Sequence, residues 1–109
     1  MGTLFYGASR FEIFFDERVL MHLQIVMNAK LRRGESFSLS WTDAPKLGGG
    51  RSIVWISPST DLHYKFSGSR PALVNRKWIE ELAILANTPQ GLHVTEEGDL
   101  TSLEVPLDR

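Results

Sequence analysis

The stretch Lys30-Leu31-Arg32-Arg33-Gly34-Glu35-Ser36-Phe37-Ser38-Leu39-Ser40-Trp41 decides the fold, because the hydrophobic period changes inside it. Upstream of Gly34, residues Val19, Leu20, Leu23, Val26, Met27 and Leu31 fall within one arc at about 100° per residue, the period of an amphipathic helix. Downstream, Phe37, Leu39 and Trp41 alternate with Ser38, Ser40 and Thr42, the period of a half-buried strand. Asp16 stands where an N-cap belongs. Lys30, Arg32 and Arg33 load the last turn with positive charge, and Gly34 occupies the C′ position. These signals predict a helix over about 17–33, followed at once by a strand.

The pattern extends outward in both directions. Before the helix, Leu4–Tyr6 and Phe11–Phe15 flank the small residues Gly7, Ala8 and Ser9 and predict a hairpin. After it, Ser52–Ser57 and Leu62–Phe66 are two further strands, and with 37–42 they predict an antiparallel meander. Ile53-Val54-Trp55-Ile56 is apolar on both faces, which predicts a central strand covered on at least one side. A second helix starts at an Asn75 N-cap, with Trp78, Ile79, Leu82, Leu85 and Ala86 as its buried stripe. Leu92–Thr95 is a last strand, and 96–99 could turn into another at 100–103. The order β-β-α-β-β-β-α-β predicts an α+β two-layer sandwich. A mostly antiparallel sheet carries both helices on one face, and Ser38, Ser40, Thr42, His63 and Lys65 line the open face. Trp41, Trp55 and Trp78 sit at core-facing phases.

The chain has 109 residues and a formal net charge of −1, with 42% hydrophobic and 23% charged residues. That is one domain of ordinary globular composition, large enough to build a core. It has no cysteine, which excludes disulfides, thiolate metal sites and a cysteine nucleophile. The longest apolar run, Leu82–Ala86, is far short of the ~20 residues of a spanning helix. Gly2 is not followed by the Ser or Thr that myristoylation requires at position 6, which is Tyr6. A cytoplasmic protein without an anchor is the expectation.

Three groups of residues are candidates for function. Lys30, Arg32, Arg33, Gly49, Gly50, Arg51 and Ser52 could contact an anion or nucleic acid. Lys30 stands out because its angle lies amid the apolar arc of the helix. Snorkelling of its stem toward the helix end is the expected solution. The glycines at 48–50 precede a strand rather than open a helix, unlike a Walker loop, so a plain hairpin loop competes with a phosphate cradle. Met21, Ile25 and Ile84 fall outside the buried arcs and are candidates for a self-association surface. An edge strand such as Leu4–Tyr6 offers a second route to a homodimer. His22, His63 and His93 show no metal-ligand spacing, so no metal and no cofactor is expected. The near-zero net charge does not support nucleic acid as a partner.

Four stretches carry a resemblance: Met1–Gly7, Lys30–Trp41, Gly50–Ser59 and Asn75–Leu82. They resemble a family of short actinobacterial proteins of unknown function whose members often bear the label "ATP-dependent DNA ligase". The resemblance covers residues 2–95, implying one domain over 1–95 and a C-terminal extension over 96–109. The labelled activity would need the Lys-x-Asp-Gly of a nucleotidyltransferase. Lys65-Phe66-Ser67-Gly68 comes nearest, with Ser67 in place of the acid. The sequence reading is therefore a binding or self-associating domain without catalytic machinery. Its rivals are an accessory nucleic-acid-binding domain connected with ligation or repair, and a nucleotide or phosphate binder using the Gly48–Ser52 loop.

Overall fold

Asp16 caps the first helix as expected: its side chain accepts from the Arg18 N–H at 3.1 Å. In this computed structural model, which describes residues 1–43, 48–68, 73–97 and 104–106, that helix is α1, Glu17–Arg32. Before it come β1 (Gly2–Tyr6) and β2 (Phe11–Phe15). After it come β3 (Phe37–Thr42), β4 (Arg51–Ile56), β5 (Leu62–Lys65), β6 (Leu73–Asn75), α2 (Arg76–Ala86), β7 (Leu92–His93) and β8 (Glu104–Pro106). The fold is α+β, and the helices and strands follow the order that the patterning predicts. The short β6, leading straight into the α2 cap, is an addition. The strand expected at 100–103 lies outside the described residues, and β8 pairs with β6.

The strands divide between two three-stranded sheets, β2-β1-β5 and β4-β3-β7, with β6-β8 as a separate pair. The expected meander is corrected here. β5 does not pair with β4 but crosses to β1, placing Tyr64 opposite Leu4 and Leu62 opposite Tyr6. That pairing gives the alternating apolar side of β5 an apolar partner, and the Tyr64 hydroxyl then reaches Asn28 of α1 at 3.4 Å. Burial pushes the Tyr64 phenol up to about 12. β7 joins β3 in parallel, Leu39 beside Leu92, because the α2 crossover returns the chain in the same direction. β1 is therefore central, not the edge strand expected of Leu4–Tyr6.

β4 is also corrected, from a central strand to an edge. β7 takes the other side of β3, so nothing in the sheet continues beyond β4. Val54 and Ile56 turn inward, whereas Ile53 is exposed and Trp55 is 59% exposed. The core-facing reading therefore holds for Trp41 and Trp78 and fails for Trp55. Ser40 departs from the open-face expectation in the opposite sense, since it is buried against His93.

A single core joins the layers. Leu4 and Ile13 from the first sheet meet Leu20, Leu23 and Met27 of α1, Leu39 and Trp41 of the second sheet, and Trp78 and Leu82 of α2. Phe15 meets Trp41 edge-on, with ring centroids 5.9 Å apart. α1 lies against α2 and β1, while α2 lies against β3 and β7.

Candidate ligand-binding site

α1 ends in a Schellman turn. Gly34, at φ +74°, directs its N–H to Leu31 O, and the next N–H, of Glu35, returns to Lys30 O at 3.1 Å. The reversal carries the Glu35 carboxylate back over the last helical turn. Lys30 lies on the buried arc and is only 7% exposed. Its stem packs inside, and its ammonium donates to Asn87 Oδ1 at 2.9 Å and pairs with Glu35 at 3.0 Å. Hydrogen bonds from Arg33, and then from Lys30, hold the Glu35 carboxyl below its ordinary range.

Asn87 is the C-cap of α2, so Lys30 ties together the C-terminal ends of both helices. The negative ends of two helix dipoles converge near one buried ammonium. The turn after α2 is fixed by Gly91, at φ +83°, where a Cβ would stand 2.5 Å from Ser38 O. This close approach sets the α2–β7 turn against β3.

Between these parts lies a cavity of about 380 Å³ lined by Lys30, Ser36, Ser38, Trp55, Asn87 and Pro89 among others. Lys30 is the sequence candidate found in it. Arg32 and Arg33 are exposed beside it on the end of α1, where Arg33 pairs with Glu35. Gly49, Gly50, Arg51 and Ser52 are elsewhere. Phe37 pairs with Ile56 at the Lys30 end of the β3–β4 ladder, and Thr42 pairs with Arg51 at the other, roughly 17 Å away at the usual rise per residue. In that loop the Ser52 hydroxyl donates to Asp43 at 2.8 Å, and Trp41 Nε1 donates to the same carboxylate at 3.1 Å. The loop thus holds a carboxylate at its base. The seven residues grouped by sequence occupy two separate places.

Of the self-association candidates, Met21 is corrected: it is 6% exposed and belongs to the interior. The buried arc of α1 is wider than the apolar residues alone imply, because α2 covers a second side of it. Ile25 is half-buried and Ile84 is exposed beside a groove shared with Glu81 and Thr95.

One buried polar cluster shows in the sequence only through its Asn75 N-cap. His22 is fully buried and stacks on Trp78, with centroids 4.5 Å apart. The Asn75 N–H donates to its Nε2 at 2.9 Å, so the proton sits on Nδ1 and is donated to Arg18 O at 2.7 Å. Asn75 also caps α2 through the Trp78 N–H and donates its amide to Glu97 at 2.8 Å. Arg18 clasps Glu97 with two bonds, at 2.6 and 2.8 Å, and donates to Leu73 O. The hydrogen bonds from Arg18, outweighing burial, hold the Glu97 carboxyl down to about 2. Among the described residues no group of three or more His, Asp or Glu side chains is placed to share a metal ion, and no helix is long and apolar enough to cross a membrane.

The fold and the cavity define a small α+β domain with a partly enclosed cavity that Lys30 helps to line. Residues 1–97 match the family described as Domain of unknown function (DUF7882), and the chain belongs to that family. The match ends at Glu97, the residue clasped by Arg18 and Asn75. No curated protein sequence and no solved structure matches the chain.

Proposed function

We propose that this protein is a binding domain without catalytic machinery. Its ligand enters the cavity between the two helix C-termini and carries a carboxylate or phosphate beside a flat apolar body. The observation that carries this reading is Lys30. Two of its three N–H groups go to Asn87 and Glu35, which leaves one for a ligand. Ser36 and Ser38 add hydroxyls at the wall, and the exposed Trp55 ring supplies a surface for stacking. Arg32, Arg33 and Lys30 against the single Glu35 give this end a net positive side-chain charge, which offsets the negative ends of the two helix dipoles, although the whole chain is slightly negative. Sites of this kind combine an apolar wall with a few placed polar groups.

The test is a titration with phenyl phosphate, benzoate and, as a charge control, benzylamine, followed by tryptophan fluorescence and amide shifts. The two anions are expected to perturb Trp55, Ser36 and Ser38, and benzylamine is not. Lys30→Met keeps the stem and removes the charge, so it should abolish the response while changing stability by less than about 1 kcal/mol. Trp55→Ala should weaken binding with the fold intact, since the ring is mostly exposed. Equal responses to anion and amine, or shifts confined to other surfaces, would sink the reading.

A further inference from the structure

We propose that β2 pairs antiparallel with β2 of a second copy of this chain, joining two three-stranded sheets into one of six strands. β2 is an outer strand with no proline and no bulge, and two of its aromatic side chains stand in solvent beside the exposed Glu12: Phe11 is 55% and Phe14 59% exposed. Such an edge invites another strand unless it is guarded. The β4 edge is guarded, because the Tyr6 hydroxyl donates to Trp55 O at 2.6 Å. Among the described residues no hydrogen bond reaches the open side of β2. The Gly7 N–H turns toward Asp61 O, beside β5. Along β1 the groups of Thr3 and Phe5 therefore face β5, and those of Leu4 and Tyr6 face β2. On β2 the N–H and C=O of Glu12 and Phe14 are then left facing outward.

The occupant follows from the sequence of the strand, which is self-complementary about Ile13. A two-fold pairing centred there sets Glu12 opposite Phe14 of the second copy. The four outward N–H and C=O groups of each chain are then exchanged as reciprocal hydrogen bonds. The exposed Phe11 comes to lie across from Phe15. At the ends, the backbone positions of Arg10 and of Asp16 of the other copy come opposite one another, while the Arg10 guanidinium stays over Phe5 and beside His63. Centring on Glu12 would oppose two glutamates, and centring on Phe14 would oppose Glu12 to Asp16. Like charges directly opposite are unfavourable. A shift by a single residue would set the core face of one copy against the solvent face of the other. Of the registers centred on Glu12, Ile13 and Phe14, only the one about Ile13 avoids like charges and also matches the faces.

Sedimentation from low to high micromolar concentration tests this, with two variants at Phe14, a position that already faces solvent in the monomer. Phe14→Glu places a carboxylate opposite Glu12 twice per dimer. Phe14→Lys places an ammonium there and removes the same apolar ring. The wild type is expected to dimerise, and the Glu variant to dissociate at least about tenfold more readily than the Lys variant. Circular dichroism checks that both variants fold. A wild type that stays monomeric, or a dimer that both substitutions leave unchanged or weaken equally, overturns the proposal.

Discussion

α1 buries two polar side chains on the side that meets α2, and they have opposite fates. His22, near the start of the helix, reaches the N-cap of α2, and Lys30, about two turns further on, reaches its C-cap. The two helices therefore run in the same direction and are joined by a polar link at each end. The His22 end is closed: ring, cap, carboxylate and guanidinium satisfy one another, and the cluster lies under Trp78. The Lys30 end opens on a cavity, and its ammonium keeps a donor in reserve. A fully paired buried network specifies one packing arrangement, whereas an incompletely paired one is where a ligand gains most. The first end suits assembly of the fold, and the second is the end at which we propose that a ligand binds.

Three changes break or sharpen this contrast. Trp78→Ala strikes the closed end hardest. It removes a ring that is almost wholly buried and stacked on His22, and is expected to cost roughly 3–5 kcal/mol in a domain of ~5–15. Denaturant midpoints measure it, and an unchanged midpoint would show that the ring does not anchor the core. Gly91→Ala strikes the open end. A methyl group at φ +83° must displace the Ser38 carbonyl, and a loss of about 2 kcal/mol is expected together with loss of the anion response. Unaltered melting with unaltered binding would separate the cavity from that close approach.

The smallest effect is on acid stability. Glu97 has its proton affinity lowered in the folded state, to about 2, so the unfolded chain takes up the proton first. Its contribution is complete above the ordinary glutamate range and is lost progressively as pH falls toward 2. Glu35 titrates in the same sense, but it is more exposed, and salt screens its pairs with Lys30 and Arg33. Melting midpoints between pH 6 and pH 3, in the manner of a linkage experiment, should lose most of their slope in Glu97→Gln and little in Glu35→Gln. A larger effect from Glu35 would reverse the assignment of the closed and open ends.

The sequence by itself determined the local elements. Asp16 and Asn75 cap the helices, Gly34 ends the first, and the change of period between Lys30 and Trp41 marks the passage from helix to strand. These features depend on contacts within a few residues, so a linear reading recovers them. Lys30 was legible as an anomaly for the same reason, being a charge on an apolar arc. What the linear pattern could not contain was the partner of each strand. β5 and β7 each have an apolar side that several neighbours would satisfy, and only the assembled core selects β1 for one and β3 for the other. That selection leaves Trp55 outside, buries Met21 and Ser40, and brings Asn87 to Lys30 and Asn75 to His22. Each of those outcomes joins residues that are far apart in the chain, where burial depends on what the rest of the molecule leaves uncovered.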